Sequence, residues 1–205
     1  MSERILNAAI ALFKARGYHG ASVRELAQAV DIEAASLYYH YPSKQEILLA
    51  VFERIVNALL DGLDGAMAAG VTPEEKLRSV VRFHVLAHIA RQDEAFVSHS
   101  ELRSLSTPNR RRIIAKRDRY ERTIRKLLTA GVRAGHFEIP DVKLTSTAIL
   151  MMCSGVSDWF VGGGRLTGDM VADYYADMVV RLVVGTDGKQ TGSEARKPSR
   201  ELRQG

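Results

Sequence analysis

Tyr38, Tyr39 and His40 stand side by side at the end of a short helical segment, and Lys44 follows four residues later. Three polar-tipped rings and a cation in so short a span suit contact with a phosphate backbone. Such groups hydrogen-bond phosphate oxygens and touch thymine methyls. Lys44 also falls in the first turn of the next helix, where free N–H groups and the positive dipole end already favour an anion.

A second group lies mid-chain. Phe83, His84, Ala87 and His88 share one helix, and Phe96, His99, Leu102 and Arg103 lie on the next. With Met152 and Trp159 from a later helix they make an apolar pocket with polar spots, the composition of a small-molecule site. His84 and His88, four apart, raise the alternative of a metal-responsive protein with His99 and Glu101. No third ligand stands at diagnostic spacing, so no metal site is assigned. A third group is a run of cations. Arg110, Arg111, Arg112, Lys116, Arg117, Arg119, Arg122, Arg125, Lys126 and Arg133 face only Asp118 and Glu121 between Thr107 and His136. This run is either a solvated helix face or a receptor for an anionic group such as a nucleotide phosphate. No Gly-rich phosphate loop, nucleophile elbow or paired-carboxylate constellation is present, so no enzyme activity and no cofactor are expected.

The elements that must position these residues are helical. Ile5, Leu6, Ala9, Ile10, Leu12 and Phe13 recur at helical spacing, with Gly17 as the stop. Ser22 with Glu25 forms a capping-box pattern that opens a second helix to about Val30. After a turn at Asp31-Ile32, a third runs from Glu33 to Tyr39. Ser43 with Glu46 opens a long helix to about Leu63, punctuated by Gly65 and Gly70. Thr72, Pro73 and Glu75 restart the chain. Further helices are expected to about Arg91, over Asp93–Leu105, Asn109–His136, Val142–Val161 and Gly168–Val184. No segment alternates with period two, so the fold class is all-α with about nine helices.

Hydrophobic residues make up 46% of 205, enough for a real core. The formal net charge is +5, but Arg4, Lys14, Arg16, Arg24 and Lys44 are cancelled within residues 1–48 by Glu3, Glu25, Asp31, Glu33 and Glu46. Net charge therefore does not mark the nucleic-acid-facing part. Cys153 is the only cysteine, which excludes an intrachain disulfide, and its apolar run predicts a buried, inert thiol. No apolar stretch approaches a membrane span, and the N-terminus shows no signal pattern, so a cytoplasmic protein without membrane contact is expected. Residues 186–205, rich in Gly, Ser, Thr, Lys, Arg and Pro, read as a disordered tail.

Three short helices in the first forty residues, with a tight turn between the second and third, are the organisation of a helix-turn-helix. The segments Ala21-Ser22-Val23-Arg24-Glu25-Leu26-Ala27 and Leu37-Tyr38-Tyr39-His40-Tyr41-Pro42-Ser43-Lys44-Gln45-Glu46-Ile47-Leu48 resemble the TetR-family signature. The lead-in Ala11-Leu12-Phe13-Lys14-Ala15-Arg16-Gly17-Tyr18 fits as well, so the resemblance covers about residues 3–50.

It implies a DNA-binding head over 1–48 and an effector-binding and dimerisation body over 49–185. In the family, positions matching Ser22 and Lys44 meet the DNA backbone. Arg24, Tyr38, Tyr39 and His40 join them. Base reading then falls to Glu33, Ala34, Ala35 and Ser36, where the family often has Lys-Gly in place of Ala34-Ala35. The departure leaves the operator sequence open. The resemblance further implies a homodimer built on the last helix pair, through Ile149, Val156, Phe160, Tyr174, Met178 and Leu182. The expected function is a transcriptional regulator, a repressor released from a palindromic double-stranded DNA operator by a small-molecule effector. TetR-like regulators of lipid catabolism that sense acyl-CoA suggest that effector class. A helical protein-interaction adaptor without DNA binding is the alternative.

Overall fold

A computed structural model describes residues 1–184, so the expected tail at 186–205 lies outside the described residues. Among the described residues there are ten α segments and no strand: α1 (Ser2–Gly20), α2 (Val23–Ala29), α3 (Ala34–His40), α4 (Lys44–Ala68), α5 (Pro73–Ala90), α6 (Gln92–Ser100), α7 (Thr107–Arg133), α8 (Val142–Ser154), α9 (Val156–Trp159) and α10 (Gly168–Val184). A single 3-10 turn, Leu102–Ser104, joins α6 to α7. No described helix is long and apolar enough to cross a membrane.

Local chemistry sets the head. Gly17 takes φ +70° and breaks the helical path near the end of α1. Both halves of the Ser22–Glu25 capping box form. At the α2–α3 turn, Asp31 is a non-glycine residue at φ 56°. The Asp31 N–H reaches the Gln28 carbonyl and the Ile32 N–H the Ala27 carbonyl, which is the Schellman closure that a left-handed residue permits. Asp is among the few side chains that tolerate that conformation.

The long helix α4 serves both halves of the molecule. Its first part buries Ile47, Leu48, Val51 and Phe52 against Ile5, Ile10, Phe13, Leu26 and Leu37 of the head. Its second part buries Ile55, Leu59 and Leu63 against α5 and α7. The helix runs five residues past Leu63, where the sequence suggests an end, and takes in Gly65; Gly62 within it has a packing role. A Cβ there would lie 2.3 Å from Phe83 Cζ, so the glycine lets α5 close in. The break in the Val142–Val161 stretch falls at Gly155, which splits it into α8 and the one-turn α9.

Gly131 plays the same part in α7. It is buried, and an added Cβ would meet the Phe137 ring at 2.1 Å. Phe137 is held there by a second Schellman closure, with Gly135 at φ 74° and the His136 N–H on the Gly131 carbonyl. Gly131→Ala is expected to destabilise the fold by about 1–3 kcal/mol through overpacking, despite alanine's better helix propensity. Urea denaturation of the two proteins reads this directly, and an unchanged or raised midpoint would refute it.

Candidate functional site

In α3 the side chains divide cleanly. Leu37 is buried, while Ala34, Ala35, Ser36, Tyr38 and Tyr39 are exposed, Tyr39 to 88%. Glu33 occupies the N-cap without a side-chain capping bond, so its carboxylate is free. The helix therefore presents a whole face outward, held by one apolar anchor. His40 is half-buried, with Nδ1 3.2 Å from Ser2 Oγ, and its ring meets Tyr39 edge-on.

The flanking groups are more engaged. Ser22 Oγ donates to Glu25 Oε2 at 2.8 Å and accepts from the Glu25 N–H, so capping occupies most of its capacity. Arg24 is exposed. Lys44 Nζ lies 4.2 Å from the Tyr18 ring centroid. Burial lowers its pKa, opposed by the charges of Glu101 and Glu25.

The body contains a cavity of about 490 Å³. Its walls come from Ile55, Val56 and Leu59 of α4, His84 and His88 of α5, Ala95, Ser98 and His99 of α6, and Arg117, Asp118, Tyr120 and Glu121 of α7. Thr147, Leu150, Met151 and Ser154 of α8 close it with Gly155 and Asp158. One wall is polar. His84 sits between Tyr120 Oη and Ser154 Oγ, each at 3.0 Å. His88 Nδ1–H donates to the His84 carbonyl at 2.9 Å, which leaves its Nε2 as an acceptor. The two rings stack at 4.2 Å, and His99 lies parallel to His88 at 6.2 Å.

Burial holds His84 far below its ordinary pKa, pushes His88 down to about 4 and lowers His99 as well. These imidazoles are neutral at pH 7. Arg117 supplies the positive charge: its Nη2 donates to the Ser98 carbonyl at 3.0 Å and to Ser98 Oγ at 2.6 Å. Burial lowers its pKa, yet a guanidinium stays protonated.

Of the residues expected in the pocket, His84, His88 and His99 are brought together there. The others are not, and helix phase is the reason. Phe83 turns onto Gly62, and Ala87 and Met152 pack into the body core. Phe96 points to solvent. Leu102 packs on the head core, and Arg103 lines a separate cleft. Trp159 is 46% exposed and stacks on Tyr175.

Sequence reasoning missed Arg117 as a cavity residue. Its signal is phase: it falls in step with Ile113, Tyr120 and Ile124 on the buried stripe of α7. The remaining cations divide. Arg112 and Lys116 pair with Glu53. Arg122, Arg125, Lys126 and Arg133 form an open cleft with Lys143 at the start of α8. Among the described residues no three His, Cys, Asp or Glu side chains group as metal ligands. Cys153 is buried and its thiol is pushed up to about 12.

The residues expected at a dimer seam also divide. Ile149 and Val156 are buried within the protomer core, and Phe160 packs against it. They point inward because their phase on α8 and α9 matches Cys153 rather than the outer face. The outward apolar stripes are Leu144, Ala148 and Met151 on α8, with Met151 also bordering the cavity, and Met170, Tyr174 and Leu182 on α10, with Met178 half-buried beside them. Met151 is 73% and Tyr174 69% exposed.

Two family descriptions match. "Bacterial regulatory proteins, tetR family" covers residues 5–51, and "Tetracyclin repressor-like, C-terminal domain" covers residues 70–183. The chain is 28% identical over 182 residues to the HTH-type transcriptional repressor KstR2 of Rhodococcus jostii, covering 86% of this chain and 87% of that protein. It is similar to the crystal structure of the TetR family transcriptional regulator PfmR from Thermus thermophilus, with 34% identity, TM-score 0.79, and coverage of 86% and 97%. It is also similar to AibR in complex with isovaleryl coenzyme A and operator DNA, with 26% identity, TM-score 0.77, and coverage of 86% and 96%.

Proposed function

The chain belongs to the TetR family of bacterial transcriptional regulators, and from that premise we propose that it is a homodimeric repressor released from a palindromic operator by an acyl-CoA thioester. Residues 1–48 are the DNA-binding unit and residues 49–185 the effector and dimer unit. The observation that carries the DNA part is the outward face of α3. Ala34, Ala35 and Ser36, with Glu33 before them, enter the major groove, where Glu33 can accept from a cytosine amino group and Ala34 can meet a thymine methyl. Ser22, Arg24, Tyr38, Tyr39, His40 and Lys44 hold the backbone. The exposed stripes of α8 and α10 supply the seam with the second copy. The repressor named among the relatives supports the direction of regulation.

The cavity is the effector site. Its rim carries Asp118 and Asp158, which disfavour a free anion inside, whereas a neutral thioester carbonyl suits Arg117 as a donor. The polyanionic part of the ligand then lies along Arg122, Lys126, Arg133 and Lys143, on the same α7–α8 seam one turn beyond Glu121. The AibR complex with isovaleryl coenzyme A and operator DNA supports this ligand class.

Cavity and head share α4 and α6. Besides the α4 wall, α6 is tied to the head by Lys14–Asp93 at 2.6 Å, and to α4 by Arg54–Glu94 at 3.2 Å, where Arg54 also donates to Asn7 of α1 at 2.6 Å. A ligand that fits only one placement of these helices shifts the head spacing by its differential affinity for the two states.

Selection of sheared genomic DNA by the purified protein, followed by sequencing, is expected to enrich a short palindrome. The recovered duplex, titrated with acyl-CoA thioesters, free coenzyme A and free fatty acid, is expected to be released by thioesters alone. No enrichment at low salt overturns the DNA reading. Enrichment with no release and no thermal shift by any thioester overturns the effector reading alone.

A further inference from the structure

The head holds little free positive charge. Its five cations face five acids in the sequence, and the fold spends most of them. Arg4 donates to the Val30 carbonyl at 3.1 Å, Lys14 pairs with Asp93, Arg16 pairs with Glu25, and Lys44 lies over Tyr18. Among the described residues Arg24 alone of these is exposed without such a partner. Phosphate contacts supply most of non-specific DNA affinity, and this is a thin supply.

A cluster at the foot of the body adds to it. Arg103, Arg110 and Arg111 line one cleft of about 530 Å³ with Leu105, Thr107 and Ile114. All three arginines are exposed, and among the described residues none has an acidic partner. Further along α7, by contrast, Arg112 and Lys116 are both committed to Glu53.

The segment is fastened to the first turn of α4. Gln45, the neighbour of Lys44, donates to the Ser104 carbonyl at 2.8 Å and accepts from the Ser106 N–H at 2.7 Å. Asn109 donates to Glu46 at 3.3 Å. The nearby carboxylate of Glu101 accepts from Ser104 Oγ at 2.6 Å. The three free arginines are thus tied to the helix start that meets phosphate.

We infer that Arg103, Arg110 and Arg111 form a second phosphate-binding surface, on the body, that takes the DNA backbone beyond the reach of the helix-turn-helix. The inference rests on the DNA-binding reading above. The surface touches no base edge, so it raises affinity uniformly across sequences and steepens the salt dependence.

The test compares wild type with Arg103→Gln/Arg110→Gln/Arg111→Gln and with Lys76→Gln/Arg119→Gln/Arg165→Gln, which removes the same charge from body positions outside the cavity and both clefts. Binding to sheared genomic DNA and to the selected operator is measured across a salt series, without effector. The first variant is expected to lose about two to three from the slope of log K against log salt, at about 0.9 per phosphate. Its sequence preference and melting temperature stay those of wild type, and the second variant keeps the wild-type slope. An unchanged slope in the first variant, or an equal loss in both, overturns the inference while DNA binding stands. A wild type that binds neither probe at low salt overturns the DNA reading, and the inference with it.

Discussion

Tyr39→Ala is expected to weaken operator binding about tenfold to hundredfold, or about 1–3 kcal/mol, while leaving thermal unfolding where it is. The ring is 88% exposed and meets His40 edge-on, so its removal opens no cavity. Surface substitutions of that kind change stability by at most about 0.5 kcal/mol. In the proposed interface the same ring provides a phosphate hydrogen bond and an apolar contact together. Leu37→Ala separates the two roles. Leu37 anchors α3 from within the head core, so its truncation costs about 2–5 kcal/mol of stability and lowers binding only through unfolding. Fluorescence anisotropy with the selected operator, beside thermal melts, reads both variants. A Tyr39→Ala protein that binds like wild type removes Tyr39 from the interface.

The head is the legible part of the sequence because its signals are local. A capping box needs two side chains three residues apart, and those at Ser22/Glu25 and Thr72/Glu75 form in full. Ser43 caps its helix as the spacing predicts, but Glu46 accepts from Asn109 instead of closing the box. That partner lies 63 residues away, beyond any local rule. The glycines show the same limit. Gly17 and Gly135 adopt the left-handed backbone that a helix stop requires, whereas Gly62 and Gly65 sit inside α4, Gly62 for the sake of Phe83. Composition does not separate the two uses.

In the body, a helix turns 100° per residue, so a pocket residue and a core residue can be neighbours in the chain. His84 and His88 face the cavity while Phe83 and Ala87 do not. Ile149 and Val156 are as apolar as Leu144, yet only Leu144 faces out. Arg117 reads as one cation among ten until its phase with Ile113, Tyr120 and Ile124 is considered.

The buried imidazoles give the second large expected effect: stability falls steeply between pH 6.5 and 5. His88 has a folded pKa of about 4 against 6.5 for the free side chain, because burial penalises its charged form. Within that window the unfolded chain binds the proton and the folded chain does not. Stability therefore drops as pH falls through it, and no cost remains above it. From pH 7 to pH 5, His88 alone removes about 2 kcal/mol, or about 4–8 °C of melting temperature for a chain of this size. His84 and His99, shifted in the same direction by burial, add to the fall. The three carboxylates whose pKa values are lowered titrate below the window. Glu25, Glu74 and Glu75 are held below 4.5 by their hydrogen bonds. Their contribution is present above that value and is lost only beneath it. His88→Phe keeps a ring stacked on His84 and removes the titrating group, so its melting temperature is expected to vary less between pH 7 and pH 5 by about 4–8 °C. Melts of both proteins at pH 7, 6 and 5 decide it. Equal pH dependence in the two would mean that His88 takes up its proton while folded, and that the polar wall of the cavity is open to water at the end where His99 meets Arg117.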